Sequence, residues 1–173
     1  NPYLIYLAHN LPHVPLFRSA DFKDTSMAGI YGDVLAEIDW SVGQVLAAVQ
    51  QASAKSPRSQ TFVVFTSDNG PWLTYKTHGG SAGLLRDGKG STWEGGMREP
   101  TAMWAWPKQV KTGVVQEMGS TLDLLPTFAS MVGANLPTDR SYDGYDLSPV
   151  LLGTGPSPRK GMFYYHGEQL YAV

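Results

Sequence analysis

Three short stretches of the sequence combine residue types able to act together on an anion. Asp68-Asn69 offers a carboxylate and an amide side by side, three oxygen acceptors of the kind a hard cation such as calcium takes. A histidine in place of Asn69 would instead favour zinc or another borderline metal. Lys89 stands in Leu84-Leu85-Arg86-Asp87-Gly88-Lys89-Gly90, an ammonium between two glycines. Such a loop can bring a cation and several backbone N–H groups against a tetrahedral anion. It is not a phosphate-binding P-loop, because the Gly-x-x-x-x-Gly-Lys-[Ser/Thr] spacing is absent. His13, in Leu11-Pro12-His13-Val14-Pro15, is held between prolines and can donate a proton to a leaving oxygen or, protonated, bind an anion.

Each signal read alone has an ordinary explanation. Asp-Asn-Gly is a common turn, a lysine between glycines is commonly a solvated surface residue, and a lone loop histidine often has no role. His78, before Gly79-Gly80, is a weaker candidate of the same kind as His13, and His9 and His166 have nothing beside them to raise them above structural roles. No nucleophile stands out: cysteine is absent, and so is the Gly-x-Ser-x-Gly elbow of serine hydrolases.

The elements that must position these residues follow from periodicity. Tyr3–Ala8 is a continuous apolar run and predicts a strand covered on both faces. His9–Asp24, with Pro12 and Pro15, reads as a loop. Ile30, Val34, Ile38, Val42, Val45 and Val49 recur at helical spacing and predict an amphipathic helix from about Ile30 to Ala52. Ser53–Gln60, containing Pro57, reads as a surface connection. Thr61–Thr66 is β-branched and aromatic throughout, a strand that ends in the turn cluster Ser67-Asp68-Asn69-Gly70-Pro71.

From that turn to Pro100 runs a long segment with glycines at 79, 80, 83, 88, 90, 95 and 96. A loop of that length within a domain is usually functional. Thr101–Trp106 predicts another strand, Ser120–Val132 a helix kinked at Pro126, Asp143–Leu152 a loop and short helix, and Met162–Val173 a strand and turn. This alternation is that of an α/β domain with a largely parallel sheet flanked by helices. Ligands of such sheets bind at the carboxyl ends of the strands, so His13 and Asp68-Asn69 are expected to converge on one sheet edge.

Composition narrows the partners. The 173 residues carry a net charge of -2, which gives no basic field for nucleic acid. No apolar run approaches the roughly 18 to 20 residues that span a bilayer. Without cysteine, neither a disulfide nor a thiolate metal site is possible in these residues, and no Asn-x-Ser/Thr sequon occurs. The opening Asn1-Pro2 leads straight into the first apolar run, with no initiator Met or polar lead, which predicts a fragment of a longer chain.

Taken in order, Leu11-Pro12-His13-Val14-Pro15, Phe65-Thr66-Ser67-Asp68-Asn69-Gly70 and the run from Gly79 through Gly88-Lys89-Gly90 and Glu94-Gly95-Gly96-Met97-Arg98-Glu99-Pro100 resemble the type I sulfatases. The likeness continues through Leu122-Asp123-Leu124-Leu125-Pro126-Thr127 and Asp143-Gly144-Tyr145-Asp146-Leu147-Ser148-Pro149, and the Gly-Lys-Gly to Arg-Glu-Pro run is its most specific part.

The resemblance implies an alkaline-phosphatase-like α/β fold. Residues 1–160 would be the C-terminal part of the catalytic domain and 161–173 the start of a small C-terminal sheet. It implies hydrolysis of sulfate esters of small molecules or carbohydrates, with Asp68 and Asn69 as ligands of Ca2+. Lys89 matches the family's sulfate-binding lysine. His13 matches its active-site histidine, which contacts sulfate and can protonate the departing alcohol. The family's nucleophile is a formylglycine made from a cysteine or serine in a Cys/Ser-x-Pro-x-Arg segment. That pattern does not occur in this sequence, so these residues alone are expected to be inactive. Two alternatives stay open: a phosphate or phosphonate ester hydrolase of the same superfamily, and a noncatalytic relative that binds sulfated glycans. Family habit implies a lysosomal, periplasmic or secreted protein; oligomeric state has no signal.

Overall fold

A computed structural model describes residues 3–56, 60–106 and 110–173. The chain forms two compact units, Asn1–Ala102 and Met103–Val173.

The first unit is built on helix α1, Gly29–Lys55. The first half of its apolar stripe does what the spacing predicts: Val34 and Ile38 are buried with Leu16, and Leu11, Val14, Ile30, Tyr31 and Val42 pack around them, whereas Val45 further along is exposed. At the helix's first turns the buried Asp33 gathers the preceding loop. Its carboxylate accepts the amides of Asp24 (3.0 Å) and Ser26 (2.9 Å), and Arg18 Nε lies 2.7 Å from it. Burial by itself would raise this carboxyl, but the Ser26 and Asp24 amides, the Arg18 charge and the Thr25 hydroxyl outweigh it and hold it below the ordinary carboxylate range.

Strand β1 covers Thr61–Thr66 and β2 Thr101–Trp106, neighbours in a two-stranded sheet. The connection before β1 is shorter than expected because α1 continues through Ser53 to Lys55; Pro57 lies outside the described residues. Between the strands the glycine-rich segment holds a 3-10 run, Leu73–His78, and a single turn of helix, α2, Glu94–Met97.

The expected strand over Tyr3–Ala8 is not formed. Leu4, Ile5 and Tyr6 are 86%, 74% and 90% exposed, and the Tyr3 hydroxyl lies 3.1 Å from Thr61 Oγ1 of β1. A strand exists through its ladder partners, and no described residue pairs with this segment.

The second unit contains α3 (Leu124–Met131), α4 (Ser148–Leu152) and an antiparallel hairpin of β3 (Tyr164–His166) and β4 (Gln169–Ala172). Pro126 does not kink the helix. A 3-10 turn, Thr121–Asp123, precedes α3, and Pro126 falls in its first turn, where a missing N–H leaves no intrahelical bond unmade.

The centre of this unit is polar. Asp123, fully buried, accepts from the amides of Ser120 (2.8 Å) and Tyr145 (2.7 Å) and, along one edge of the Arg159 guanidinium, from Nε and Nη2 (2.9 and 2.5 Å). Arg159 also donates to the Asp143 carbonyl, 2.9 Å away, and lies over the Tyr145 ring. Burial would raise the Asp123 carboxyl, but Arg159 and the two amides dominate and lower it.

Candidate functional site

All four residues singled out by the sequence lie in the first unit. Each is placed mainly by the packing and main-chain bonds of the segment that carries it.

His13 is set by its neighbours in sequence. Leu11 and Val14 pack against the α1 core and Leu16 is buried in it, so the loop is pinned on both sides of an exposed imidazole. His13 Nδ1 lies 2.7 Å from the Val14 carbonyl oxygen. A carbonyl can only accept, so Nδ1 carries the hydrogen of this contact and Nε2 is the nitrogen it leaves over.

Asp68 and Asn69 follow directly on β1. The Ser67 hydroxyl donates to the Asn69 carbonyl (2.8 Å), and the Gly70 amide donates to the Gly96 carbonyl (3.2 Å). A side chain at 70 would meet Gly95 O at 1.9 Å, so glycine is what lets the turn close on α2. Asn69 Nδ2 is engaged with the Gly70 carbonyl at 3.2 Å, which leaves the side-chain oxygen as the atom open to a cation. Asp68 is exposed, and no side-chain hydrogen bond of its carboxylate is found among the described residues.

Lys89 is half-buried. Its amide donates to the Pro71 carbonyl at 2.9 Å, an approach that requires Gly88, where a Cβ would come within 2.3 Å of that same oxygen. Its ammonium lies 4.8 Å from the centre of the Trp72 ring. The His13 ring lies against the same indole, 5.4 Å between ring centres with the planes tilted by 52°. The structure thus brings His13 and Lys89 onto one aromatic side chain, three residues beyond Asn69. His78 ends the 3-10 run exposed and joins none of these contacts.

Sequence reasoning missed two residues of this neighbourhood. Trp72 is one; the available signal was a large aromatic directly after the Asp-Asn-Gly-Pro turn. Glu99 is the other. Its Oε1 is buried with no hydrogen-bond partner, and its carboxyl is pushed up, chiefly by burial and then by the charge of Asp68. A carboxylate repelling Asp68 from a partly buried position is the electrostatic setting that a cation would relieve.

The donor set near Asp68 is therefore all oxygen, which fits calcium and not a thiolate- or imidazole-seeking metal. Among the described residues no group of three or more His, Asp or Glu side chains is assembled as a complete metal site. Two ligands of the six to eight that calcium takes is what these residues fit. A cavity of about 430 Å3 opens beside the turn, lined by Gly70, Pro71, Ser81, Leu85, Arg98 and Glu99 among others. Among the described residues no helix is long and apolar enough to cross a membrane.

Residues 1–134 match the family model described as Sulfatase. The chain is 46% identical to human arylsulfatase A over 164 residues, which make up 95% of this chain and 31% of that protein. It is 43% identical to the N-acetylgalactosamine-6-sulfatase of Canis lupus familiaris over 174 residues, 99% of this chain and 32% of that one. It is 40% identical to the steryl-sulfatase of Rattus norvegicus over 179 residues, 99% of this chain and 30% of that one.

Two solved structures align with it. One comes from work on the metabolism of multiple glycosaminoglycans by Bacteroides thetaiotaomicron. Its TM-score is 0.72 and its identity 29%, over 86% of this chain and 32% of that one. The other is Ps i-CgsB in complex with k-i-k-neocarrahexaose, at TM-score 0.73 and 32% identity over 87% of this chain and 34% of that one. The fold is accordingly α/β and alkaline-phosphatase-like. The chain spans about a third of the length of the curated relatives it matches. A family model covering most of its length, with relatives this similar along nearly all of it, establishes that the chain belongs to the sulfatase family.

Proposed function

We propose that these residues supply the sulfate-holding and leaving-group side of a centre that hydrolyses sulfate esters. The observation that supports this most is the convergence of the His13 imidazole and the Lys89 ammonium on Trp72, directly after the Asp68-Asn69 turn.

Cleavage of the S–O bond to the alcohol builds negative charge on the leaving oxygen and redistributes it over the remaining sulfate oxygens. Lys89, half-buried on an indole and carried by a backbone fixed to Pro71, offers a preorganised ammonium to a sulfate oxygen. Nδ1 of His13 is committed to Val14, so when the ring is protonated Nε2 is the atom that delivers a proton to the departing alcohol oxygen, leaving the neutral Nδ1–H imidazole. Asp68 and the Asn69 side-chain oxygen would hold calcium, which when bound supplies positive charge to the sulfate group. The formylglycine that attacks sulfur in this family arises from Cys/Ser-x-Pro-x-Arg, a pattern not found in this sequence. The 173 residues by themselves are therefore inactive on this reading. Residues 1–160 serve as the later part of the catalytic domain, and 161–173 begin its small C-terminal sheet.

The substrate class that suits the site is a sulfate monoester of a small molecule or carbohydrate. The test is turnover of matched 4-nitrophenyl sulfate and 4-nitrophenyl phosphate by the full-length protein, with calcium and after chelation. Sulfate turnover that falls with chelation is the expected result. Faster phosphate turnover would move the assignment to a phosphomonoesterase. Absence of either, with sulfated glycan still bound, would make the protein a noncatalytic binder.

A further inference from the structure

Trp72 is held unusually firmly for a residue in a glycine-rich loop. Its amide donates to the Gly79 carbonyl (2.9 Å), and its carbonyl accepts from the Tyr75 amide (3.0 Å). A Cβ at Gly79 would lie 2.0 Å from the Trp72 carbonyl oxygen, so the neck of the 72–79 loop is closed tightly on this residue. The Tyr75 ring meets the indole edge-on, 4.6 Å between centres. The preceding residue, Pro71, accepts the Lys89 amide. Main chain and ring are both confined, and the two groups with chemistry to perform rest against that ring.

We propose that Trp72 is the positioning residue of the site, one rigid indole that fixes Lys89 and His13 relative to each other. The proposal rests on the sulfatase reading for its consequence in turnover, but the contact itself is independent of that reading. A lysine side chain loses much rotamer freedom when fixed. An aromatic face beneath the ammonium restricts it while leaving its N–H donors free for an anion. The same face limits how the His13 imidazole tilts about the Nδ1–Val14 anchor, and so where Nε2 points. Trp72 contributes no proton and no hydrogen bond to the reaction; it acts through the other two.

The experiment compares Trp72→Leu and Trp72→Phe in the full-length protein. In Trp72→Leu, kcat/KM for 4-nitrophenyl sulfate is expected to fall about thirtyfold, mostly in kcat, and Trp72→Phe to recover most of it because an aromatic face remains. In a Lys89→Ala background the same Trp72→Leu change should cost severalfold less, since one of the two groups it positions is gone and only His13 remains on the indole. A loss of equal size in both backgrounds would mean that Trp72 does not act through Lys89, and would overturn the proposal. So would a wild-type rate in Trp72→Leu. Should Trp72→Leu lose the wild-type far-ultraviolet circular dichroism, the same cycle run with Trp72→Phe decides, with an additive loss again overturning it.

A second arm needs no turnover. Acetylation of Lys89 and carbethoxylation of His13, followed by peptide mass spectrometry, should both accelerate severalfold in Trp72→Leu, while acetylation of the exposed Lys55 is unchanged. Unaltered rates at both residues overturn the positioning role. Absence of sulfate ester turnover in the wild type, with accelerated labelling in the variant, would sink the functional reading and leave the contact standing.

Discussion

The site residues of the first unit and the buried knot of the second handle their polar side chains in opposite ways. In the second, the buried polar groups are saturated: Asp123 accepts two amides and a guanidinium, Thr127 Oγ1 bonds the Asp123 carbonyl and the Leu147 amide, and Ser157 bonds Glu117 and Met118. In the first, Asp33 is saturated in the same way at the start of α1, but around the site the loops are held by apolar packing on α1 and by main-chain bonds through Gly70, Gly79 and Lys89, and the side chains of Asp68 and Lys89 are left to act. A carboxylate that already accepts four hydrogen bonds has nothing to offer a substrate. Structural and chemical polar groups can therefore be told apart here by how fully their valences are taken, even where the residue types are the same.

Four measurements would break or sharpen this contrast. The largest effect is expected from Arg159→Ala, which strands the Asp123 charge in a site with no access to water. It should cost about 3–5 kcal/mol in urea unfolding, and a loss under 1 kcal/mol would show that the knot is not what stabilises its unit. Next, Lys89→Ala should lower sulfate ester turnover about 10²–10³-fold with an unchanged melting temperature, the inverse of the Arg159 result. Equal effects on stability and rate would erase the distinction.

Acid gives the third measurement. Asp33 and Asp123 both have lowered carboxyls, one in each unit. Their stabilisation is complete above the ordinary unfolded carboxylate range and is lost as pH falls through the lower native values. Urea midpoints should hold steady from neutrality to about pH 5 and decline below about pH 4; a midpoint that rises on acidification would contradict both assignments. The smallest effect belongs to Ile38→Val, about 1 kcal/mol. It trims the α1 core under the His13 loop and should leave KM for 4-nitrophenyl sulfate unchanged.

Much of the framework was legible because it is local. The stripe from Ile30 to Val49 marks α1 within a few residues at either end, and the β-branched run Thr61–Thr66 and the run Thr101–Trp106 mark the strands. The candidate site residues were legible as types in an order that a family shares. What sequence could not display is pairing across distance. Asp123 and Arg159 are 36 residues apart, and nothing in either neighbourhood announces the other. Trp72 reads as one aromatic among many until two distant residues come to rest on it. Pro126 was misread because a proline in a helical pattern signals a kink only if the helix has already begun. The run Tyr3–Ala8 has strand composition, but a strand requires a partner that composition does not supply.

That last segment has a practical consequence. Tyr3, Leu4, Ile5, Tyr6 and Leu7 form a water-facing ribbon of large apolar side chains whose amides and carbonyls join no ladder among the described residues. At the concentrations used for crystallisation or spectroscopy, two such ribbons from different molecules satisfy one another. Light scattering of the 173-residue polypeptide should therefore show association that grows with concentration, and replacing Ile5 by lysine should suppress it.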